Sequence, residues 1–238
     1  VAYYLHGRRA ANPVLRLDLF DIRTFNVAVL GGIITRLGVG GMPFLQPLLY
    51  QIGLGHPAWK AGLLTMPQAI AAIVMKMLSK SILERFGHRQ VLITNTLVVG
   101  TTMTIFSLVG PNTPIWCILL LTFTQGFFAA LQFTSMNTLV YADVSDRDAS
   151  MANSIASTAQ MMALSFGVAS ASLVTAWYIG NVPQSDHPHF MAALHHSFLT
   201  LGCITIVSSA MFWRLKSDDG NAVSNRISTP EGENLEAA

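Results

Sequence analysis

Arg36 is the residue of this sequence with the clearest chemical consequence, because it is the one charged residue between Phe25 and Tyr50. That stretch is about one membrane thickness long, and a charge at bilayer depth is costly unless it faces a cavity or a partner. A guanidinium offers a planar fork of donors that suits carboxylate or phosphate. Arg36 is therefore a candidate binding group in a polar path. The alternative also stays open: it satisfies backbone carbonyls nearby or pairs with an acid elsewhere.

Side-chain amides are the other candidates for such a path. An amide inside a bilayer needs a partner on a neighbouring helix or in a water-filled cavity. Taken singly, each one is more often explained as a hydrogen bond between helices than as a substrate contact. We expect the amides of the first, second, fourth and fifth spans to surround a polar space together with Arg36, with the third and sixth spans outside it. The candidates are Gln46, Gln68, Gln125, Gln132, Asn137 and Gln160.

The composition requires a membrane environment for these groups. Of the 238 residues, 52% are hydrophobic and only 11% are charged, whereas soluble domains carry about 25% charged residues. The sequence predicts an all-α polytopic membrane protein with six spans, each long enough to cross about 30 Å of hydrocarbon. The predicted spans are Phe25–Tyr50, Ala61–Leu78, Val91–Val109, Ile115–Tyr141, Met151–Ile179 and Phe190–Leu215.

The basic residues predict an orientation. Nearly all lie in the two tails and in the turns on one side of the six spans, and Lys60 alone lies on the other side. The positive-inside rule therefore places both termini in the cytoplasm. We divide the chain into 1–22, the end of a preceding span and a cytoplasmic linker; 23–216, the six-span bundle; and 217–238, a disordered cytoplasmic tail. The net charge of +2 does not indicate nucleic-acid binding.

Small residues predict where helices approach closely. Ala163, Gly167 and Ala171 recur every fourth residue and so share one helix face, and Gly126 begins a similar pair in the fourth span. In the first span, the glycines and prolines between Gly31 and Pro47 are typical of a helix that bends or lies close to another helix.

The residues do not indicate an enzyme. His195 and His196 could suggest an intramembrane serine protease, yet no Gly-x-Ser element occurs and no acid within a span could orient a histidine. There is no Walker loop for ATP. A metal site at His187, His189, His195 and His196 is a weak alternative without acids or cysteines. We predict no metal and no cofactor.

Two sets of residues form recognisable motifs: the run Arg36–Pro43 with Gly53–Gly55 and Met66-Pro67, and the loop Glu84–Arg89. They resemble the major facilitator superfamily, and within it the fourteen-span drug:proton antiporter branch of multidrug exporters. The run Arg36–Pro43, followed by Gly53–Gly55 and Met66-Pro67, is similar to the seventh and eighth core helices of that superfamily. The loop Glu84–Arg89 resembles its cytoplasmic loop motif, through Glu84, Arg85, Gly87 and Arg89. Lys80, Glu84 and His88 depart from the better copy of that motif. Glu84 is expected to pair with Arg85 or Arg89 between helices; simple topological anchoring is the alternative.

The resemblance implies the carboxy-terminal half of a secondary transporter in a bacterial inner membrane. The family exports small molecules by alternating access between two six-helix bundles, with protons as the coupling ion. All twelve Asp and Glu residues lie outside the membrane-depth positions, so coupling is expected in the other half, and this chain alone is expected to be inactive. The implied substrates are multiple drugs; an anionic metabolite or a metal chelate is the alternative that Arg36 favours.

Overall fold

The computed structural model describes residues 17–180, 187–216 and 219–220. Our expectations for residues 1–16, for the loop 181–186 and for most of the predicted tail lie outside the described residues. A short 3₁₀ turn over Leu17–Asp21 precedes six long helices, and the described part contains no strand. The helices are α1 (Arg23–Gly53), α2 (Ala58–Phe86), α3 (His88–Phe106), α4 (Ile115–Leu139), α5 (Ala149–Ile179) and α6 (His187–Ser208). The prediction of an all-α polytopic fold is confirmed.

Helix α1 is irregular in the places where its glycines and prolines occur. It contains π-helical turns at Val27–Gly31 and Leu49–Gly53, and its α-helical segments Gly32–Val39 and Met42–Leu48 are separated at Gly40 and Gly41. It is also the central element, since 61% of its apolar window is buried against 22% for α2 and for α5. A proline-containing helix is tolerated in a membrane when neighbouring helices, hydroxyl side chains or local π-helical turns satisfy its freed backbone groups.

Five of the six helices are long and apolar enough to cross a membrane, as judged by length and composition over the described residues. Helix α3 has the length of a span but is less apolar, because Arg89, Gln90 and Asn95 lie within it and threonines recur along it. Several of these hydroxyls donate to carbonyls of their own helix, for example Thr96 to Leu92 at 2.7 Å and Thr102 to Val99 at 2.8 Å. A hydropathy scale counts such hydroxyls as polar although they are already satisfied. The third span stays a prediction.

The helices associate in pairs around α1. Helix α2 packs on α4, α3 packs on α6 and α4, and α5 packs on α1 and α6. The chain beyond the 3₁₀ turn Ser209–Arg214 returns to the bundle, where Asp219 accepts hydrogen bonds from Arg23 Nε at 3.0 Å and from the Lys216 backbone at 2.8 Å. Asp219 is buried, so this part of the predicted tail is folded against the helices.

Candidate functional site

Arg36 lies buried between α1, α4 and α5, with 6% of its surface exposed. Nη2 donates to the amide oxygen of Gln160 on α5 at 3.2 Å, and Nη1 contacts the Met136 sulfur on α4 at 3.6 Å. The ring of Phe133 faces the guanidinium at 4.7 Å, a cation–π distance. Nε is buried without a hydrogen-bond partner among the described residues. The cation is thus held by one amide, one thioether and one ring.

A glycine of α1 makes room for this arrangement. A Cβ at Gly32 would clash with Nη1 of Arg36. Side chains of a helix lean towards its N-terminus, and the Arg36 guanidinium accordingly lies beside the residue one turn earlier. Beside it is a recess of about 10 Å³, room for about one water molecule. The recess is lined by Arg36, Gln160, Asn137 and small or aliphatic residues of α1, α4 and α5.

Only some of the predicted amides lie beside Arg36. Gln160 contacts it and Asn137 lines the same recess. Gln132 lines a second small recess beside Arg36, but its amide bonds across to α3: Nε2 donates to Thr96 at 2.8 Å, and Oε1 accepts from Asn95 at 2.8 Å.

The remaining amides lie elsewhere. Gln125 accepts a hydrogen bond from Thr102 of α3 and its Nε2 has no partner among the described residues. Gln46 is buried in α1, with Nε2 likewise unpartnered in the part of the chain that is described. Gln68 lies at the crossing of α2 and α4. The structure therefore gathers Arg36, Gln160 and Asn137 in one site, with Gln132 at its edge.

The small residues lie at helix crossings. A Cβ at Gly126 would be 2.6 Å from the Cα of Gln68, so α2 and α4 meet there in close backbone contact. Gly167 of α5 meets α1 in the same way, because its Cβ would lie 2.5 Å from the Arg36 carbonyl and 2.9 Å from the Gly40 Cα. Ala163 and Ala171 are buried on the same face of α5.

The loop motif is arranged differently from our expectation. Glu84 pairs with Lys80, one turn earlier on α2, at 3.8 Å. It forms no ion pair with Arg85 or Arg89 in the described structure. An i,i+4 spacing on one helix makes Lys80 the nearer partner. Gly87 joins α2 to α3 with a φ of 74°, a backbone conformation that favours glycine.

His88 was not predicted to be buried. Its Nε2 is 3.0 Å from the hydroxyl of Thr138, its Nδ1 has no partner among the described residues, and Gly220 lies against the ring. Burial lowers the pKa of His88 from its usual value.

Sequence reasoning also missed part of the polar core. Asn95 donates to the Phe128 carbonyl at 2.7 Å as well as to Gln132, and Tyr50 shares a hydrogen bond of 2.9 Å with Thr122. Asn95 lies in a span that we placed outside the polar space. Phe133 and Met136 were missed beside Arg36 because neither is polar, although their spacing from Gln132 and Asn137 on α4 could have indicated them.

His195 and His196 bond to the carbonyls of Val109 and Ala192, and the described residues hold no group of three possible metal ligands.

The fold and this site define a polytopic helical membrane protein with a buried cation between three of its helices. The family model of the Major Facilitator Superfamily matches residues 28–233. The chain belongs to the Major Facilitator Superfamily, which confirms the family recognised from its motifs.

Curated relatives narrow this resemblance. "Putative multidrug resistance protein MdtD" of Pectobacterium carotovorum is 32% identical over 92% of this chain and 47% of the relative. The protein of the same name from Serratia proteamaculans is 31% identical over 96% of this chain and 47% of its own length. That of Yersinia enterocolitica is 31% identical over 92% of this chain and 46% of its own. The chain spans about half the length of these relatives.

Proposed function

We propose that this chain forms the carboxy-terminal half of a secondary active transporter that exports small molecules from the cytoplasm. The family and the names of the relatives support export, and the match to about half of each relative supports a half-transporter. The family is one of transporters rather than enzymes, which supports transport without catalysis. A bacterial inner membrane, with both termini cytoplasmic, is the proposed location.

The exposed face of α5 is the observation that carries this proposal. Near its start, α5 exposes Asn153, Ser154, Ser157 and Thr158 rather than apolar side chains. These side chains lie in the first three turns of α5, before the exposed Met161 and Met162, and exposed polar side chains on a spanning helix favour a contact with protein or with a water-filled cavity over a contact with lipid. The same helix packs its opposite, small-residue face on α1. Its polar face is therefore suited to border a cavity closed by a second bundle.

The positions of the carboxylates support our proposal about where proton coupling takes place. Within the described residues, no carboxylate lies beside Arg36 or along the interior of the helices: Asp18, Asp21, Glu84 and the acids of 143–148 lie at helix ends or in turns, and the buried Asp219 lies beyond α6, paired with Arg23 at the start of α1. Proton-driven export needs a group that titrates in the path. In our proposal the other half supplies it, and the two halves rock about the shared cavity.

The test compares the chain alone with the chain joined to a second half. The 238-residue chain is expressed alone, and also in tandem with the amino-terminal half of the Pectobacterium carotovorum relative, in bacteria deficient in efflux. We expect both proteins in the membrane, with ethidium efflux that an uncoupler abolishes only in the tandem protein. The amino-terminal half alone is the control. Uncoupler-sensitive efflux by the chain alone would contradict a half-transporter. Full membrane abundance of the tandem without efflux would contradict export.

A second candidate, export of an anionic metabolite or a metal chelate, is favoured by one observation. Arg36 is a buried cation whose contacts include no acid among the described residues. A substrate panel of hydrophobic cations and organic anions, run on the tandem protein, separates this candidate from multidrug export.

A further inference from the structure

We propose that the recess beside Arg36 binds the carboxylate group of an organic anion, with the guanidinium as its main ligand. The inference rests on the proposed function only in taking that anion as a substrate of export. The recess and its cation are already formed between α1, α4 and α5 of this chain, so binding itself needs no second half.

The first support is the unused donor capacity of Arg36. A guanidinium has five N–H donors, and the hydrogen bonds to Gln160 and Met136 engage two of them. The bond to the sulfur is weak, since a thioether is a poor acceptor. Nε is fully buried without a partner among the described residues. A buried donor left unsatisfied is costly, and more so when it belongs to a charged group, so an acceptor placed here is strongly favoured.

The second support is the uncompensated charge. Ion pairs in the described residues join Arg23 to Asp219 and Lys80 to Glu84, and neither includes Arg36. The Phe133 ring faces the cation but carries no formal charge. A buried cation without an anion bears its full desolvation cost, and an anionic ligand would supply the missing charge.

The third support is the shape of the recess. It has a volume of about 10 Å³, which accepts about one oxygen-sized group. Ala28, Ala156 and Ala159 line it with small side chains, and the amides of Gln160 and Asn137 complete its lining. A carboxylate is planar, can present one oxygen to the recess and can engage the fork with both. With one oxygen in the recess, a tetrahedral phosphate leaves three oxygens outside it, whereas a carboxylate leaves one. Since Asn137 is exposed, the rest of the ligand extends past it.

The position of the recess suits uptake by an exporter. The guanidinium leans back to Gly32, towards the Arg23 end of α1. At 1.5 Å per residue, Gly32 lies about 13 Å along the helix from Arg23. That end is the one predicted to face the cytoplasm. A cytoplasmic anion would therefore reach Arg36 without crossing the outer half of the bundle.

The experiment measures ligand stabilisation of the purified 238-residue chain in detergent. Thermal unfolding at pH 7.5 is followed while benzoate or benzamide is titrated, because the two differ in charge but little in shape. We expect a saturable rise in Tm with benzoate, about 3–6 °C at ten times its Kd, and no comparable rise with benzamide. Inorganic phosphate serves as the third probe. No benzoate shift, or an equal shift with benzamide or with phosphate, would overturn a carboxylate site.

Variants test whether the rise in Tm with benzoate comes from the recess beside Arg36. Arg36→Lys removes the planar fork but keeps the charge, and we expect it to lose most of the benzoate shift. Arg147→Lys, at an exposed arginine in the turn before α5, is the matched control and should keep the shift. Ala159→Leu fills the recess from α5 while Arg36 is retained, and it should also lose the shift; it decides the matter if Arg36→Lys does not fold. A full benzoate shift in either site variant would refute the assignment.

The outcome is independent of transport. Benzoate binding without efflux by the tandem protein would contradict the proposed function and leave this site standing. Uncoupler-sensitive efflux without benzoate binding would contradict only the site.

Discussion

Replacing Gly167 by alanine should destabilise the bundle, because α5 and α1 meet there backbone to backbone. The added Cβ would lie 2.5 Å from the Arg36 carbonyl oxygen, 2.9 Å from the Gly40 Cα and 3.1 Å from the Gly40 carbonyl carbon. All three are backbone atoms, so no side-chain rotation relieves the clash. The helices must separate by at least about half an ångström to bring the closest of these contacts to 3.0 Å, which loosens the contacts of the whole crossing.

The magnitude follows from two opposing effects. Overpacking a well-packed site costs about 1–3 kcal/mol, and three backbone contacts place Gly167→Ala at the upper end. Alanine in a helix interior gains about 1 kcal/mol over glycine. The net loss is therefore about 2 kcal/mol, or a fall in Tm of about 4–8 °C for a chain of this size.

Gly62→Ala is the matched control for this change. Gly62 also lies in a helix, α2, but a Cβ there meets nothing within 4 Å. The propensity gain is common to both variants, so their difference in Tm isolates the overpacking of the crossing. Thermal unfolding of both proteins in detergent, followed by tryptophan fluorescence, gives the measurement. If Gly167→Ala is as stable as Gly62→Ala, the crossing is not as close as described and the reasoning fails.

Two further predictions concern topology and pH. With the native cysteines replaced, Ala58→Cys should react with an impermeant maleimide in intact cells, and Asp146→Cys should react only after permeabilisation; the reverse pattern would invert the orientation. The stability of the chain should fall as pH drops below about 6.5, the pKa of an unfolded histidine, because burial lowers the pKa of His88 and its folded form resists protonation. His88→Gln should flatten this slope between pH 7.5 and 5.5, and an unchanged slope would show that His88 is not its source.

The helices were predictable because the bilayer restricts both their length and their composition. Each predicted span lies within a few residues of an observed helix, and the largest extensions are polar ends such as Ser79–Phe86 of α2. The irregular middle of α1 was also indicated, since glycine and proline act locally on the backbone. Helix α3 shows where a hydropathy scale underestimates a span. A threonine hydroxyl that donates to a carbonyl of its own helix adds little to the free energy of placing that helix in a membrane.

Which of the amides lie beside Arg36 depends on how each helix is rotated about its axis. Composition carries no information about that rotation. Gln125 and Gln132 are seven residues apart and share a face of α4, the one that meets α3. Asn137 is five residues beyond Gln132, which at about 100° per residue turns it some 140° away. Helical angle could therefore have separated Asn137 from the other two. Which face meets α3 and which meets a recess is set by contacts between residues far apart in the chain.

Arg36 shows why the chemistry of the site and the packing of the bundle must be read together. Its carbonyl oxygen accepts from the Gly40 backbone at 2.8 Å and lies against Gly167, so its main chain is part of the crossing of α1 and α5. Its side chain is held by Gln160, seven residues earlier on α5 and so on nearly the same face of that helix. One helix therefore fixes both ends of the arginine. A shift of α5 against α1 would move Gln160 relative to the guanidinium and change the recess between them. The small residues of α5 set how close the amide comes to the cation, which makes the spacing of Gly167 and Gln160 as important to this site as the charge itself.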